Sequence, residues 1–425
     1  MELEVPIVSR PKRRRDILVV FLVVIFAVGG FLIGYFLMKA EKDTVKCHDV
    51  KGTSKPNLPS NKERYHKMFQ NEIKAKNIED NLKYITSEPH IAGSKRQHEL
   101  AISLNEKWRT YGFDAVEMPE YKVPLSLPQE DKPNKVEVII NGTIEHTILG
   151  KVEVKAEPSA TKKFNYFPYF AYSPNGTVEG ELVYINTGSK EDIKLLMNRT
   201  GVSLENKIVI ARGIWGWIHL AASLGAIGAL IFPDPHSSGP NPNDTYPNTP
   251  WTSGDAVFEK PVGINLGDPL TPEIPSIDGM YRGPRNMTNL APIPSQPISY
   301  NDALVLLGQL KGDKVPKAWQ GGLNVSFGFG PGFNKSNSTV RLHVNNMVVV
   351  KTVYNVIGTI HGREEPDRYV LIGSHRDAWL FGAADPSSGT AALMEITRAV
   401  SKMLQGGWRP RRTLKFCSWG RRNLD

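Results

Sequence analysis

A chain of 425 residues with 40% apolar content can fill two hydrophobic cores, and its formal charge of +9 raises the question of a polyanionic partner. Apart from Lys12-Arg13-Arg14-Arg15 and the stretch from Arg409 to Arg422, however, the Lys and Arg residues are scattered, which excludes nucleic acid. The two cysteines, Cys47 and Cys417, lie in different regions and give no disulfide framework, and Cys417 reads as a small apolar strand residue.

Ile17 to Met38 is an uncharged run of 22 residues, long enough at about 1.5 Å per residue to cross a hydrocarbon layer about 30 Å thick. The basic cluster precedes it, so residues 1–16 read as a cytoplasmic tail and 17–38 as a transmembrane signal anchor. Polar residues 39–60 read as a stalk. Everything after Lys39 is then extracellular or lumenal, in a single-pass type II protein of the plasma membrane or a secretory-pathway membrane. Glycosylation acceptor triplets at Asn141, Asn175, Asn198, Asn243, Asn286, Asn324, Asn334 and Asn337 all fall on that side.

From Tyr65 the pattern turns helical. Ile78, Leu82 and Ile85 share one face, as do Leu100, Leu104, Trp108 and Tyr111. The break between them, Pro89-His90-Ile91-Ala92-Gly93-Ser94, makes His90 a turn histidine. Residues 118–350 are rich in Pro, Gly and β-branched types. Within them Gly180–Asn186 and Lys207–Arg212 predict strands, and Ala221–Phe232 predicts a helix end, a turn and a strand.

The chemistry concentrates after Lys351. Tyr369 to Ile372 predicts a buried strand, and His375 sits at its end. Asp385 follows ten residues later, and Pro386-Ser387-Ser388 predicts a capped start for the helix over Ala391–Ile396. Thr413–Trp419 predicts another strand. Imidazole and carboxylate at a strand's carboxyl end are zinc donors, and an Asp can bridge two ions. Asp377 is placed to hold the other imidazole nitrogen.

Three pieces, Tyr354–Thr359, Glu365–Gly389 and Gly407–Trp419, resemble in order and spacing the glutamate carboxypeptidase II family of co-catalytic zinc peptidases. The resemblance implies an α/β fold. Its zinc-peptidase core would be built from residues 61–117 and 351–425, incomplete as written, with a protease-associated (apical) α+β domain inserted over 118–350. It implies two Zn²⁺ ions, with His375 a terminal ligand and Asp385 the bridge, and release of C-terminal residues, acidic or other, from small peptides. It also implies a substrate contact at Arg212, at the end of the Lys207–Arg212 strand, and a Ca²⁺ donor at Thr271. Family members form homodimers through a domain not present in these residues.

Departures accompany the likeness. The family's general-base Glu-Glu pair is expected just after Trp419, where Gly420-Arg421-Arg422 stands, so no catalytic residue is assigned and the chain as written is expected to be inactive. Thr252 replaces an Asn that grips a terminal glutamate, and Gly213–Trp217 is shorter and more apolar than the family's loop. Sheet strands without their neighbours would show exposed apolar faces. The rival readings are a non-enzymatic receptor or decoy like the transferrin-receptor branch, and an interaction module made of the inserted domain alone.

Overall fold

The computed structural model describes residues 61–421 except 158, 214–215, 235–253, 258–269, 272–273, 275, 278, 285–289 and 324. The predicted anchor, tail and stalk, Thr252, and the acceptors Asn243, Asn286 and Asn324 therefore lie outside the described residues. Among the described residues, no helix is long and apolar enough to cross a membrane.

Three helices come first: α1 (Asn61–Glu72), α2 (Ala75–Ile85) and α3 (Lys95–Thr110). Ser94 caps α3 by accepting from the Gln97 amide, and this explains why the helix begins directly after the Pro89–Ser94 break. The next strands are β1 (Ala115–Glu117), β2 (Glu120–Leu127), β3 (Lys135–Ile140), β4 (Thr143–Leu149), β5 (Val152–Val154), β6 (Phe164–Tyr166), β7 (Gly176–Gly180) and β8 (Leu182–Tyr184). The predicted strand over Gly180–Asn186 is thus split, its first residue closing β7.

Further along lie α4 (Lys190–Thr200), β9 (Ile208–Arg212), α5 (Ile218–Ser223), β10 (Gly228–Phe232), β11 (Ser295–Pro297) and α6 (Tyr300–Leu307). The chain then runs through β12 (Ser338–Val344), β13 (Met347–Tyr354), β14 (Val356–Ile360), β15 (Glu365–His375), α7 (Ser387–Gln405) and β16 (Arg412–Trp419).

Two four-stranded sheets share the larger core. One is parallel, in the order β11-β10-β9-β8; the other is antiparallel, in the order β4-β3-β12-β7. Every residue of β8 and β10 is buried, as expected for parallel strands covered on both faces. In the two-stranded ribbon β2–β13, β2 begins two residues after the predicted boundary at 118 and β13 runs across the one at 350.

The site-bearing sheet has the order β1-β14-β16-β15, with β16 and β15 parallel. Its smaller core is closed by Leu100, Leu104 and Trp108 of α3 and by Ala391, Leu393, Met394 and Val400 of α7. The core is therefore assembled from segments on either side of the intervening sheets. Ile372, opposite Phe416, packs against this core, but Val370 opposite Leu414 is exposed, which corrects the buried strand expected over Tyr369–Ile372. Tyr369 and Leu371 alternate to the opposite face, where they are 60% and 65% exposed. Among the described residues β15 is an outer strand with an exposed apolar face, as expected for a strand lacking neighbours on one side.

Helix α7 is held by a buried acid. Glu395 accepts from the Lys74 amide, Asn77 Nδ2 and Arg398 Nε, tying α7 to the start of α2. Burial alone would raise its pKa, but these donors outweigh burial and hold the carboxyl below the usual range. Its contribution to stability is accordingly complete above about pH 4.5 and lost as pH falls below that value. Urea unfolding from pH 7 to 3 should show this acid limb, and Glu395→Gln should flatten it.

Candidate metal centre

Parallel pairing of β15 with β16 places His375 opposite Trp419, so the carboxyl ends of both strands share one rim. Two further contacts fix the rim. The Arg376 amide donates to the Trp419 carbonyl at 2.8 Å, and Thr390 Oγ1 of α7 donates to the His375 carbonyl at 2.7 Å. The Arg376 side chain turns inward, donating to Ser418 Oγ at 2.7 Å and to the Tyr354 carbonyl at 2.8 Å. Complete burial pushes its pKa down to about 10.

Residues 376–386 form the loop from β15 to α7. The loop reverses at Gly382 (φ +57°), where an added Cβ would lie 2.4 Å from Ala378 Cβ, so only glycine fits. The same argument holds at Gly373, where the Trp419 ring lies 2.5 Å from the Cβ position. Helix α7 begins after Pro386 with no side-chain cap, which corrects the capped start expected from Ser387-Ser388. Those hydroxyls are used elsewhere: Ser388 Oγ donates to the Ala384 carbonyl at 2.5 Å, and Ser387 faces His90.

The structure brings the three predicted residues together. His375 Nδ1 lies 3.1 Å from Asp377 Oδ1, and His375 Nε2 lies 3.1 Å from Asp385 Oδ1. Asp377 is buried, whereas Asp385 is exposed. Burial disfavours the charged imidazole, but hydrogen bonds and charge from Asp377 and then Asp385 outweigh it and raise the His375 pKa.

The donors suit zinc. With Nδ1–H given to Asp377, the Nε2 lone pair points toward Asp385. The 3.1 Å separation is close to the roughly 3.3 Å edge of a tetrahedron with zinc–donor bonds near 2.0–2.1 Å. Among the described residues, no group of three or more His, Cys, Asp or Glu side chains is placed to hold an ion. His375 and Asp385 thus fit one edge of a zinc site, and the described residues supply no further donors.

Arg421 is engaged by an aromatic side chain. Its Nη2 donates to the Tyr172 hydroxyl at 2.6 Å, and that hydroxyl donates to the Pro124 carbonyl at 2.8 Å. Tyr172, Asp377, Trp379 and Arg421 line a cavity of about 30 Å³, room for a water or two but not for a peptide side chain.

The remaining predicted sites lie elsewhere. Arg212 gives Nε to Asn186 Oδ1 at 2.8 Å and Nη2 to the Ala318 carbonyl at 2.9 Å, and pairs through Nη1 with buried Asp234. Thr271 is buried, and its Oγ1 has no hydrogen-bond partner among the described residues. Asn141, Asn175, Asn198, Asn334 and Asn337 are all exposed. Sequence reasoning missed His90, which is fully buried against the metal loop. The signal available was its place in a Pro-His-Ile-Ala-Gly-Ser turn immediately before a capped helix.

Residues 355–421 match the profile of Peptidase family M28. Aminopeptidase NAALADL1 of Mus musculus is 39% identical over 368 residues, 82% of this chain and 49% of the relative. The glutamate carboxypeptidase 2 homolog of Caenorhabditis briggsae is 37% identical over 83% of this chain and 48% of the relative. Transferrin receptor protein 2 of Homo sapiens is 32% identical over 98% of this chain and 51% of the relative. The chain spans about half the length of these curated relatives. Among solved structures, a zinc aminopeptidase from Bacillus subtilis matches 81% of this chain and 61% of its own, with a TM-score of 0.44 and 13% identity. The chain is a homologue of NAALADL1 and of the glutamate carboxypeptidase 2 homologs, and it carries a Peptidase family M28 segment over residues 355–421.

Proposed function

We propose that this chain provides the apical part and the first ligand edge of a two-zinc exopeptidase acting on small peptides. The observation that carries the reading is His375 held between Asp377 and Asp385 on the rim of a parallel strand pair. His375 Nε2 and Asp385 would hold the ion, with Asp385 the bridge. A bound zinc pair supplies a polarised carbonyl and an activated water. The work of the chain's own residues is positional. Asp377 fixes the imidazole tautomer, Thr390 and Arg376 fix the strand end, and Tyr169 and Tyr172 pack with Trp379 of the metal loop.

Release of C-terminal residues is the direction we favour, on the family likeness. The names of the relatives include both an aminopeptidase and a carboxypeptidase, so the assay needs peptides blocked at either end. We further propose a type II anchor at 17–38 in a plasma or secretory-pathway membrane, N-glycans on the exposed acceptor Asn residues, and Ca²⁺ at Thr271. Mass spectrometry of the ectodomain before and after glycosidase tests the glycans.

With two donors among the described residues, the chain by itself should bind Zn²⁺ weakly and hydrolyse no peptide. Asp377→Asn should weaken that binding by about 10–100-fold, because Asn no longer provides the carboxylate that orients and polarises the ring. Isothermal titration with Zn²⁺, alongside a peptidase assay, measures both. Turnover with two ions bound would overturn the assignment of the donors.

A receptor without zinc is the second reading. It is favoured by the match to transferrin receptor protein 2, which covers 98% of this chain and 51% of that relative. Zinc binding that disappears in His375→Ala separates the two readings.

A further inference from the structure

We propose that His90 is the positioning residue of the metal loop: it ties residues 378–387 to the segment before α3 and so holds Asp385 facing His375 in the metal-free protein. The functional meaning of this inference rests on the zinc reading above; the tether itself does not.

His90 grips the loop near its start, near its middle and at its end. The Ala378 amide donates to the His90 carbonyl at 3.2 Å, and the His90 amide donates to the Leu380 carbonyl at 3.3 Å. At the far end, Ser387 Oγ lies 3.4 Å from His90 Nε2. The fourth contact anchors the ring to its own turn, Nδ1 lying 2.9 Å from the Glu88 carbonyl. A carbonyl only accepts, so Nδ1 carries the proton and Nε2 accepts from the serine hydroxyl. Burial supports this assignment, since it holds the imidazole below its usual pKa and keeps it neutral. Both His90 and Ser387 are completely buried.

A neutral imidazole is the one side chain that offers a donor and an acceptor on opposite sides of a rigid plane. Asparagine reproduces the Nδ1 position and glutamine the Nε2 position, but neither reproduces both. The neighbouring Ile91 packs with Tyr169, Tyr172 and Trp379, closing the outer side of the same loop. Asp385 lies between Leu380 and Ser387, and its exposed carboxylate gains no burial that would place it. Tethering the residues on either side therefore adds to the contact with His375 in setting its direction.

The test is amide hydrogen exchange of residues 376–388 in the full chain, for wild type, His90→Asn, His90→Gln and Ser387→Ala. His90→Asn and Ser387→Ala should each speed exchange in this segment by about tenfold, while amides of β9 and β10 stay at wild-type rates. His90→Gln should restore much of the protection, a rescue that simple loss of packing would not give. Co²⁺ titration, followed by the His375-dependent visible absorption, should show affinity falling about tenfold in His90→Asn and recovering in His90→Gln.

Wild-type exchange rates in His90→Asn, or a His90→Gln variant no different from His90→Asn, would overturn the proposal. Should His90→Asn unfold α3 and β16 as well, Ser387→Ala decides: unchanged exchange there also overturns it. Absence of Co²⁺ binding in wild type defeats the zinc reading instead, and the exchange rates still decide the role of His90.

Discussion

Arg212→Ala is expected to lower stability by about 3–5 kcal/mol, read as a fall in the urea midpoint at pH 7. The reason lies in what the guanidinium leaves behind. Asp234 is 1% exposed and pairs with Arg212, while its other oxygen accepts from the Gly322 amide at 2.8 Å. Removing the arginine breaks the ion pair of a buried carboxylate and takes a donor from Asn186 Oδ1 and from the Ala318 carbonyl as well. Asp234→Asn should cost less than Arg212→Ala, because the amide is neutral and keeps an acceptor for Gly322. These contacts bind the end of β9 to the segment 318–322. An arginine serving mainly as a substrate contact would instead leave the stability within about 0.5 kcal/mol of wild type.

Trp108→Ala should be comparably severe, about 3–5 kcal/mol, and confined to the site-bearing sheet. Trp108 is fully buried, its ring 5.9 Å from Phe113 and 6.5 Å from Phe416 of β16. Its Nε1 donates to Thr397 Oγ1 of α7 at 3.1 Å, so one side chain joins α3, α7 and β16. Truncation leaves a cavity at that junction, and the rigid sheet beside it cannot collapse to fill it. Limited proteolysis of this variant should leave a resistant fragment near residues 118–350, which would show that the apical part holds its fold by itself. Uniform digestion across the chain would argue that the parts unfold together.

Much of the site was legible. The run from Tyr369 to Ile372 is continuously apolar, and the helical spacing after Ser388 is regular, so the loop between them was bounded before any contact was known. His375, Asp377 and Asp385 fall at that strand end and in that loop, and the structure brings them within hydrogen-bonding reach. The start of α7 was misjudged because Ser387 and Ser388 have the composition of a cap. Their hydroxyls are instead taken by His90 and the Ala384 carbonyl. The strand over Gly180–Asn186 was read too long, since β-branched composition does not mark where pairing changes partner at Glu181.

The amino-acid order alone determined the helices before and after the metal loop, the strands that flank that loop and which residue types crowd the rim, because periodicity and turn chemistry act over a few residues. Only the tertiary structure decided that His90 is a buried tether, that Arg212 is committed to Asp234, and that Tyr369 and Leu371 face outward. Those outcomes depend on which distant segment arrives beside each group. His90 meets a partner 297 residues away and Trp108 one 289 residues away, distances over which local pattern carries no information about pairing.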